Sequence, residues 1–414
     1  MVNGLKGEKS NAYSKQIDTI DTARVSGLEM ALQQCALLLE FIKNNNILVP
    51  DKRNFCLKFS FFKEKSPTLI GVDITSASIK MVELSRDANG QYQLDAYVIS
   101  PIANLAMTDG NVADLEKVAE AISVAWKLMG TRQKRVALAL PSATVISKKV
   151  SLPADLSEDD MAFQVEAEAN QYIPFSLDEV NIDFQVLGPA AKNKEDVDVL
   201  IVAARKEKIE DRVAVAEGAG LEVAIMDVEN YATEAAYSLL TKQLPDMGQQ
   251  QTVMLVDIGA SMMHINVMHD DQAVYSREQN FGGDQLTQQI QTRFDLSAQE
   301  AELAKRQGNL PDTYLSEVLP AFVQNLAMEV ARAVQFFLST SQYHQVDHIV
   351  LAGGCASIAG LDAAVQSRTN IHAVVANPFN SMRMSAKIKP QQAALDAPAL
   401  LIACGLAMRS GVPL

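Results

Sequence analysis

The sequence predicts an α/β protein in which one β-β-β-α unit occurs twice around a shared cleft, with a small α+β unit set into the first copy. Two stretches carry that expectation. Gly71 to Lys80 (G-V-D-I-T-S-A-S-I-K) and Leu255 to His264 (L-V-D-I-G-A-S-M-M-H) each run an apolar strand into an Asp, turn through small or polar residues, and leave on a second strand. A third strand and a helix follow each. Between them, residues 143–224 break the pattern with strands and helices of their own.

Residues 1–64 differ from the rest. Leu28, Leu32, Ala36, Leu39 and Ile42 fall near one face of a helix, but the segment offers no second element for it to pack on, so it reads as a weakly ordered extension. The first half, 65–142, is expected to hold strands Thr68–Val72, Ile79–Leu84 and Tyr92–Val98. A polar turn, Asp73–Ser78, joins the first two, and a D-A-N-G turn at Asp87–Gly90 precedes the third. A helix over Val112–Met129 carries Leu115, Val118, Ile122, Ala125 and Met129 on one face and stops at Gly130, before a strand Arg135–Leu140.

The inserted unit opens with strand Val145–Val150. Ser157 and Asp160 resemble a capping box for a helix whose apolar face runs through Met161, Val165, Ala169 and Tyr172 and stops before Pro174. Strands Asn181–Leu187 and Asp198–Ala203 and a helix Ile209–Gly218 complete it, and residues 225–248 return to the first half. The second half, 249–295, repeats three strands (Val253–Ile258, Met262–Met268, Ala273–Asn280) and a helix from Gly283. Residues 296–343 form a small subdomain around a long helix centred on Leu326–Phe337. Residues 344–395 resume the second half with strand His348–Leu351 and a helix directly after Gly353-Gly354, and 396–414 end in an apolar helix, Ala397–Arg409.

Composition excludes several functions. A net charge of −14 argues against a nucleic-acid backbone or an anionic membrane as partner, since both reward basic faces. Cys35, Cys56, Cys355 and Cys404 stand far apart, without zinc-site spacing or a disulfide framework, which suits a reducing, cytoplasmic compartment. The best apolar run, Pro398–Met408, falls well short of the roughly 20 residues a spanning helix needs. The N-terminus carries no secretion signal. Membrane association is therefore expected to go through a partner.

The chemistry of the repeated hairpins points to a phosphate. Asp73 and Asp257 supply carboxylates of the kind Mg²⁺ takes through retained water. Hydroxyls of Thr75, Ser76 and Ser78, with turn N–H groups, suit phosphate oxygens, and Lys80 brings a point cation. A polar residue stands seven positions after each Asp, Lys80 in one copy and His264 in the other.

These hairpins, I-V-L-A-G-G-C-A-S-I-A-G-L at Ile349–Leu361 and A-L-L-I-A-C-G-L-A at Ala399–Ala407 resemble the actin/Hsp70/sugar-kinase superfamily. That resemblance implies an actin-like ATPase fold, two ribonuclease-H-like βββαβα halves around a nucleotide cleft, with an inserted α+β subdomain of FtsA type. More narrowly, the runs Pro67–Leu84, Glu168–Val180 and Val199–Glu207 resemble the PilM family, actin-like proteins of type IV pilus assembly. The resemblance runs from about Lys65 to the C-terminus. It implies ATP and Mg²⁺ as cofactors. Asp73, Ser76 and Lys80 match the first phosphate loop, with Thr75 where much of the superfamily has Gly. Asp257 and Gly259 match the second, and His264 stands where actin holds a histidine near the attacking water. Gly282, Gly283 and Asp284 resemble a phosphate-contacting turn, Glu302 and Lys305 a ribose- and base-contacting helix, and Gly353 and Gly354 the adenosine loop.

The implied role is a cytoplasmic scaffold that binds the N-terminal cytoplasmic tail of PilN. It would link the inner-membrane complex to motor proteins, as in twitching motility, with at most slow ATP hydrolysis. The corner Gln171–Leu177 is the expected docking region, and self-association stays open. Two alternatives compete. An FtsA-like division tether would need a basic amphipathic C-terminal helix, for which Arg409–Leu414 leaves no room. A sugar or acetate kinase would need a general base facing an acceptor hydroxyl, whereas Glu229 and Glu234 read as ordinary helix residues. Finally, Leu57–Lys63 looks like the usual start of such a protein, so residues 1–56 are expected to reflect an upstream start codon.

Overall fold

Two sheets with the same connectivity organise the computed structural model, which describes residues 68–410 apart from 88, 104, 109, 191 and 192. The expected helix at Leu28–Ile42 and the start at Leu57 lie outside the described residues. In the first sheet β1 (Ile70–Ile74), β2 (Ser78–Arg86) and β3 (Tyr92–Pro101) are antiparallel neighbours. A two-stranded ribbon, β4 (Met107–Thr108) and β5 (Asn111–Val112), leads into helix α1 (Leu115–Met129) and then β6 (Arg135–Leu140), which pairs parallel with β1. α1 starts later than its apolar periodicity suggests because Asp114 caps it, accepting the Lys117 N–H, while residues 111–112 pair as strand.

The inserted unit is a three-stranded antiparallel sheet, ordered β7-β9-β8, with one helix packed on it. Its parts are β7 (Val145–Pro153), α2 (Glu158–Ala169), β8 (Val180–Pro189) and β9 (Asp196–Arg205). Ser157 caps α2 as expected, but α2 ends at Ala169, so Tyr172 lies beyond it rather than on its face. β9 passes directly into α3 (Lys206–Gly218), and β10 (Glu222–Val228) pairs parallel with β6 to complete this side of the first sheet. β10 was not foreseen as a strand; its residues are only half-buried and give no clean alternation.

α4 (Glu229–Leu240) then crosses to the second sheet. There β11 (Thr252–Ile258), β12 (Met263–His269) and β13 (Gln272–Gln279) are antiparallel. Helices α5 (Gly283–Phe294), α6 (Ala298–Gln307) and α7 (Leu319–Thr340) precede β14 (His348–Ala352), parallel to β11. α8 (Leu361–Thr369) and β15 (His372–Val375) follow. The order β3-β2-β1-β6-β10 in one sheet matches β13-β12-β11-β14-β15 in the other. The fold is actin-like, a duplicated α/β unit carrying an α+β insertion.

The chain then returns. β16 (Arg383–Met384) adds to the edge of the first sheet beside β3, and α9 (Pro390–Asp396) and α10 (Leu401–Ala407) pack on that sheet. The C-terminal helix expected over Ala397–Arg409 is broken. Residues Ala397–Leu400 form a 3-10 turn around Pro398, which cannot donate to a preceding turn. The helix expected straight after Gly353-Gly354 is likewise delayed by a 3-10 turn, Gly354–Ser357, and starts at Leu361.

α1 and α3 cover the outer face of the first sheet and α5, α7 and α8 that of the second, while α4 and α10 lie between the sheets. With both faces covered, every residue of β1 and β11 is buried, which explains their unbroken apolar runs. Two glycines allow the close packing of α10. A Cβ on Gly71 would lie 2.0 Å from the Ala403 carbonyl oxygen, and one on Gly405 would lie 1.8 Å from that of Ala232 on α4. Among the described residues no helix is long and apolar enough to cross a membrane.

Candidate functional site

The seven-residue spacing seen in both hairpins has a structural meaning. Asp73 and Lys80 are direct cross-strand partners between β1 and β2, and Asp257 and His264 are partners between β11 and β12. Each pair therefore lies on one face of its sheet. In the first hairpin, Lys80 Nζ donates to Asp73 Oδ2 at 3.0 Å, with both residues buried. Burial alone would lower the Lys80 pKa. Asp73 and Asp257 outweigh it, so the ammonium is held above its usual range. That influence of Asp257 brings the two hairpins, one from each sheet, to one buried locus.

The first turn closes on itself. The Thr75 N–H and hydroxyl both donate to the Ser78 carbonyl, at 3.0 and 2.9 Å, and the Ser78 N–H donates to Thr75 Oγ1 at 3.1 Å. Thr75, where a Gly was expected by resemblance, thus uses its hydroxyl to tighten the turn. Ser76 stands half-buried at the tip.

Asp257 is 8% exposed, and its carboxylate accepts no hydrogen bond from the described residues. Burial pushes its carboxyl up, against the pull of Lys80 and His264. His264 belongs to a row, since Glu278 on β13 is its partner on the other side. His264 Nδ1 and Glu278 Oε1 stand 3.6 Å apart, and neither atom has a hydrogen-bond partner. Burial disfavours the imidazolium, but Glu278, Glu229 and Asp257 outweigh it and push its pKa up to about 9. His264 in turn holds the Glu278 carboxyl below its usual range. At this value His264 is a cation at neutral pH.

The turn Gly282-Gly283-Asp284 docks on the second hairpin. The Gly283 N–H donates to the Gly259 carbonyl at 3.1 Å and the Asp284 N–H to that of Ala260 at 2.8 Å. Those two donors hold protein backbone. A Cβ on Gly282 would lie 2.3 Å from the Ala260 oxygen, so the glycine is required by this close approach. Gly353 is required in the same way. Its φ is +85°, and a Cβ would lie 2.4 Å from the Ile258 oxygen and 2.6 Å from Asp257 Oδ1. Gly354 is different, with nothing within 4 Å of its missing Cβ. Cys355 points its thiol at the Gly259 carbonyl, 3.4 Å away.

On α6, Ser297 and Glu300 form a capping box that fixes the first turn. One turn on, Glu302 gathers Lys305 (2.5 Å), Arg306 (2.8 Å) and the Thr287 hydroxyl (2.8 Å), and Lys305 also donates to Thr287 at 2.7 Å. Arg306 reaches farther: its Nη2 donates to the Ala77 carbonyl of the first hairpin turn at 3.3 Å. The cleft between the sheets is thereby bridged at its rim. The structure brings Asp73, Lys80, Asp257 and His264 into one charge network, and Gly259, Gly283, Asp284, Gly353 and Cys355 around the second turn.

A sequence model of the family described as type IV pilus assembly protein PilM matches residues 71–411. The chain belongs to the PilM family. A chain of a PilM–PilN type IV pilus biogenesis complex shares its fold, with a TM-score of 0.70 and 24% identity over 84% of this chain and 100% of that one. Ethanolamine utilization protein EutJ from Carboxydothermus hydrogenoformans also matches, with a TM-score of 0.50 and 17% identity over 92% and 98% of the two chains.

In this PilM-family chain, sequence reasoning missed two groups at the centre. Glu229, set aside as an ordinary helix residue, opens α4 and interacts with His264, Asp73 and Arg212. Burial pushes its carboxyl up to about 7; His264 and Arg212 oppose the rise and Asp73 adds to it. Glu229 directly follows β10, a strand that the sequence pattern did not announce, so its position gave no signal. Arg212, on α3, is 3% exposed and donates to the carbonyls of Ile74 and Gly110. A lone Arg on a charged helix carried no signal either.

Proposed function

We propose that this PilM-family chain binds ATP with Mg²⁺ between the two hairpins, as a scaffold of pilus assembly whose grip on a partner follows the state of the cleft. The observation that carries the reading is Lys80, a buried cation bonded to Asp73 at 3.0 Å and also drawn by Asp257 from the opposite sheet. A cation there is suited to neutralise phosphate charge, and an Asp257 carboxylate without a protein donor is suited to a water or a metal-bound water. Among the described residues no group of three or more ligating side chains could hold a metal ion. That fits Mg²⁺, which takes one or two carboxylates and fills its shell with water and phosphate oxygens. Asp73 and Asp257 would hold it, and its chemistry would be to neutralise charge on the phosphates.

The remaining groups fall into roles. Ser76 and the first turn would meet phosphate, Glu302 and Lys305 the ribose and base, and the open Cα face of Gly354 the adenosine. Gly259, Gly282, Gly283 and Gly353 shape the second turn, and Asp284 faces Lys305 and Glu302 beside it. Glu229, with a pKa near neutrality, can accept a proton from a water in the cleft, and cationic His264 can orient one. Turnover would be slow, because a switch needs only rare hydrolysis.

The proposed partner is the N-terminal cytoplasmic tail of PilN, supported by the fold shared with a chain of a PilM–PilN complex. Through PilN the chain would sit on the cytoplasmic side of the inner membrane and contact motor components. Calorimetry with Mg·ATP and a PilN-tail peptide, repeated on Asp257→Ala, tests this. Wild type is expected to bind both ligands, and the variant to keep the peptide while losing ATP. A wild type that bound neither would sink the proposal.

A further inference from the structure

We infer that Arg212 is the positioning residue of the first phosphate hairpin and the link through which the inserted subdomain and that hairpin move together. The inference rests on the nucleotide reading above for its functional meaning, but its geometry stands apart from it. Arg212 Nη1 donates to the Ile74 carbonyl at 3.3 Å and Nη2 to the Gly110 carbonyl at 2.6 Å. Ile74 is the last residue of β1, between Asp73 and the Thr75 turn. Gly110 turns the β4–β5 ribbon. One planar guanidinium therefore ties two loops of the first half to α3, a geometry that an ammonium, as a compact point donor, reproduces poorly.

The other end of α3 belongs to the insertion. α3 follows β9, the central strand of the inserted sheet, without an intervening loop. At that junction the Arg205 guanidinium lies over the Phe175 ring, 5.4 Å from its centre, and Lys206 Nζ donates to the Asp178 carbonyl at 2.8 Å. Phe175 belongs to the Gln171–Leu177 corner. The corner, the β9–α3 junction and Arg212 thus form one contiguous path along two turns of α3 that ends on the backbone beside Asp73. A shift of the insertion carries Arg212 with it. The Ile74 carbonyl must follow or lose a charge-assisted bond from a guanidinium that is 3% exposed, which is costly. The coupling is reciprocal, so a ligand that fixes the hairpin also fixes the junction.

Hydrogen exchange on the full chain, with Arg212→Met and Arg212→Lys beside wild type, tests this in two arms. Without nucleotide, Arg212→Met is expected to exchange roughly tenfold faster over residues 70–80 while 252–264 stay as in wild type, with Arg212→Lys in between. With Mg·ATP, wild type is expected to gain protection over 196–212 as well as 70–80. Arg212→Met should lose the gain at 196–212 and bind a fluorescent ATP analogue about tenfold more weakly. Exchange over 70–80 within about twofold of wild type in Arg212→Met would overturn the positioning role. Undiminished protection at 196–212 in that variant would overturn the link. If Arg212→Met failed to fold, Arg212→Lys would decide, since wild-type exchange over 70–80 in it contradicts the two-carbonyl geometry. If wild type bound no ATP, the proposed function would fall, and the nucleotide-free arm would still decide the role of Arg212.

Discussion

His264 sits across from Asp257 as Lys80 sits across from Asp73, yet only Lys80 closes on its Asp; His264 instead shares charge with Glu278 on the next strand, 3.6 Å away. The duplicated hairpins are therefore unequal. One holds a committed ion pair, the other a carboxylate left open beside a cationic imidazole. If the proposed nucleotide reading holds, this asymmetry would make the first hairpin a fixed phosphate clamp and the second the place where water and metal exchange.

The Lys80–Asp73 pair should show the behaviour of a buried ion pair. Lys80→Ala strands a buried carboxylate and is expected to cost about 3 kcal/mol in urea denaturation, beyond any loss of ATP binding. The double variant Lys80→Met with Asp73→Asn should recover much of the stability and none of the binding. A single variant as stable as wild type would contradict the burial seen here.

Stability should fall as pH rises through neutrality. Glu229 goes from 4.5 unfolded to about 7 folded and His264 from 6.5 to about 9, so the native state binds more protons than the unfolded chain in both windows. Each contribution is complete below the unfolded value and lost as pH climbs through the folded one. Denaturation midpoints measured between pH 6 and 9.5 should decline, and His264→Gln should remove the upper part, about 2 kcal/mol. A flat profile in wild type would exclude the shift at His264.

Glycines that look alike in the sequence should separate by experiment. Gly353→Ala forces a Cβ into the Ile258 carbonyl at a positive φ and should lower stability by about 2 kcal/mol or more. Gly354→Ala meets open space and should melt with wild type while weakening ATP binding. Gly405→Ala should destabilise by pushing α10 off α4 at Ala232. Thermal melts with a nucleotide-binding assay distinguish all three.

Cys355 sits at the second turn but is expected to be inert. Burial pushes its thiol up to about 11, against Lys305, so almost no thiolate exists at pH 8. Alkylation followed by peptide mass spectrometry should leave Cys355 unmodified in folded protein and label it in urea. Fast labelling in the native state would show that the Gly353–Cys355 loop opens.

The repeated hairpins, the strand-strand-strand-helix order and the insertion were legible because covered strands must be continuously apolar and their Asp residues interrupt them at matching places. The seven-residue spacing was visible as a pattern, but its meaning as cross-strand register needed the pairing. Glu229 and Arg212 were illegible for a physical reason. Each lies on a helix whose charged residues look solvated, and only the packing of α4 between the sheets and of α3 on the first sheet encloses them. Thr75 and Gly353 were visible as residues, but the turn bonds of the one and the close packing of the other against Ile258 needed the structure. The broken C-terminal helix was signalled by Pro398, which the apolar run concealed.

α10 has one further consequence. It covers β1 at Gly71, yet the two lie far apart along the chain, as do β3 and the β16 strand that extends its edge. A nascent chain that has already emitted both hairpins still presents the inner face of Ile70–Ile74 to water, and its first sheet lacks an edge. The first half is therefore expected to complete its packing only once residues 383–407 have been made, and a chain cut before Arg383 should aggregate where the full chain stays monodisperse.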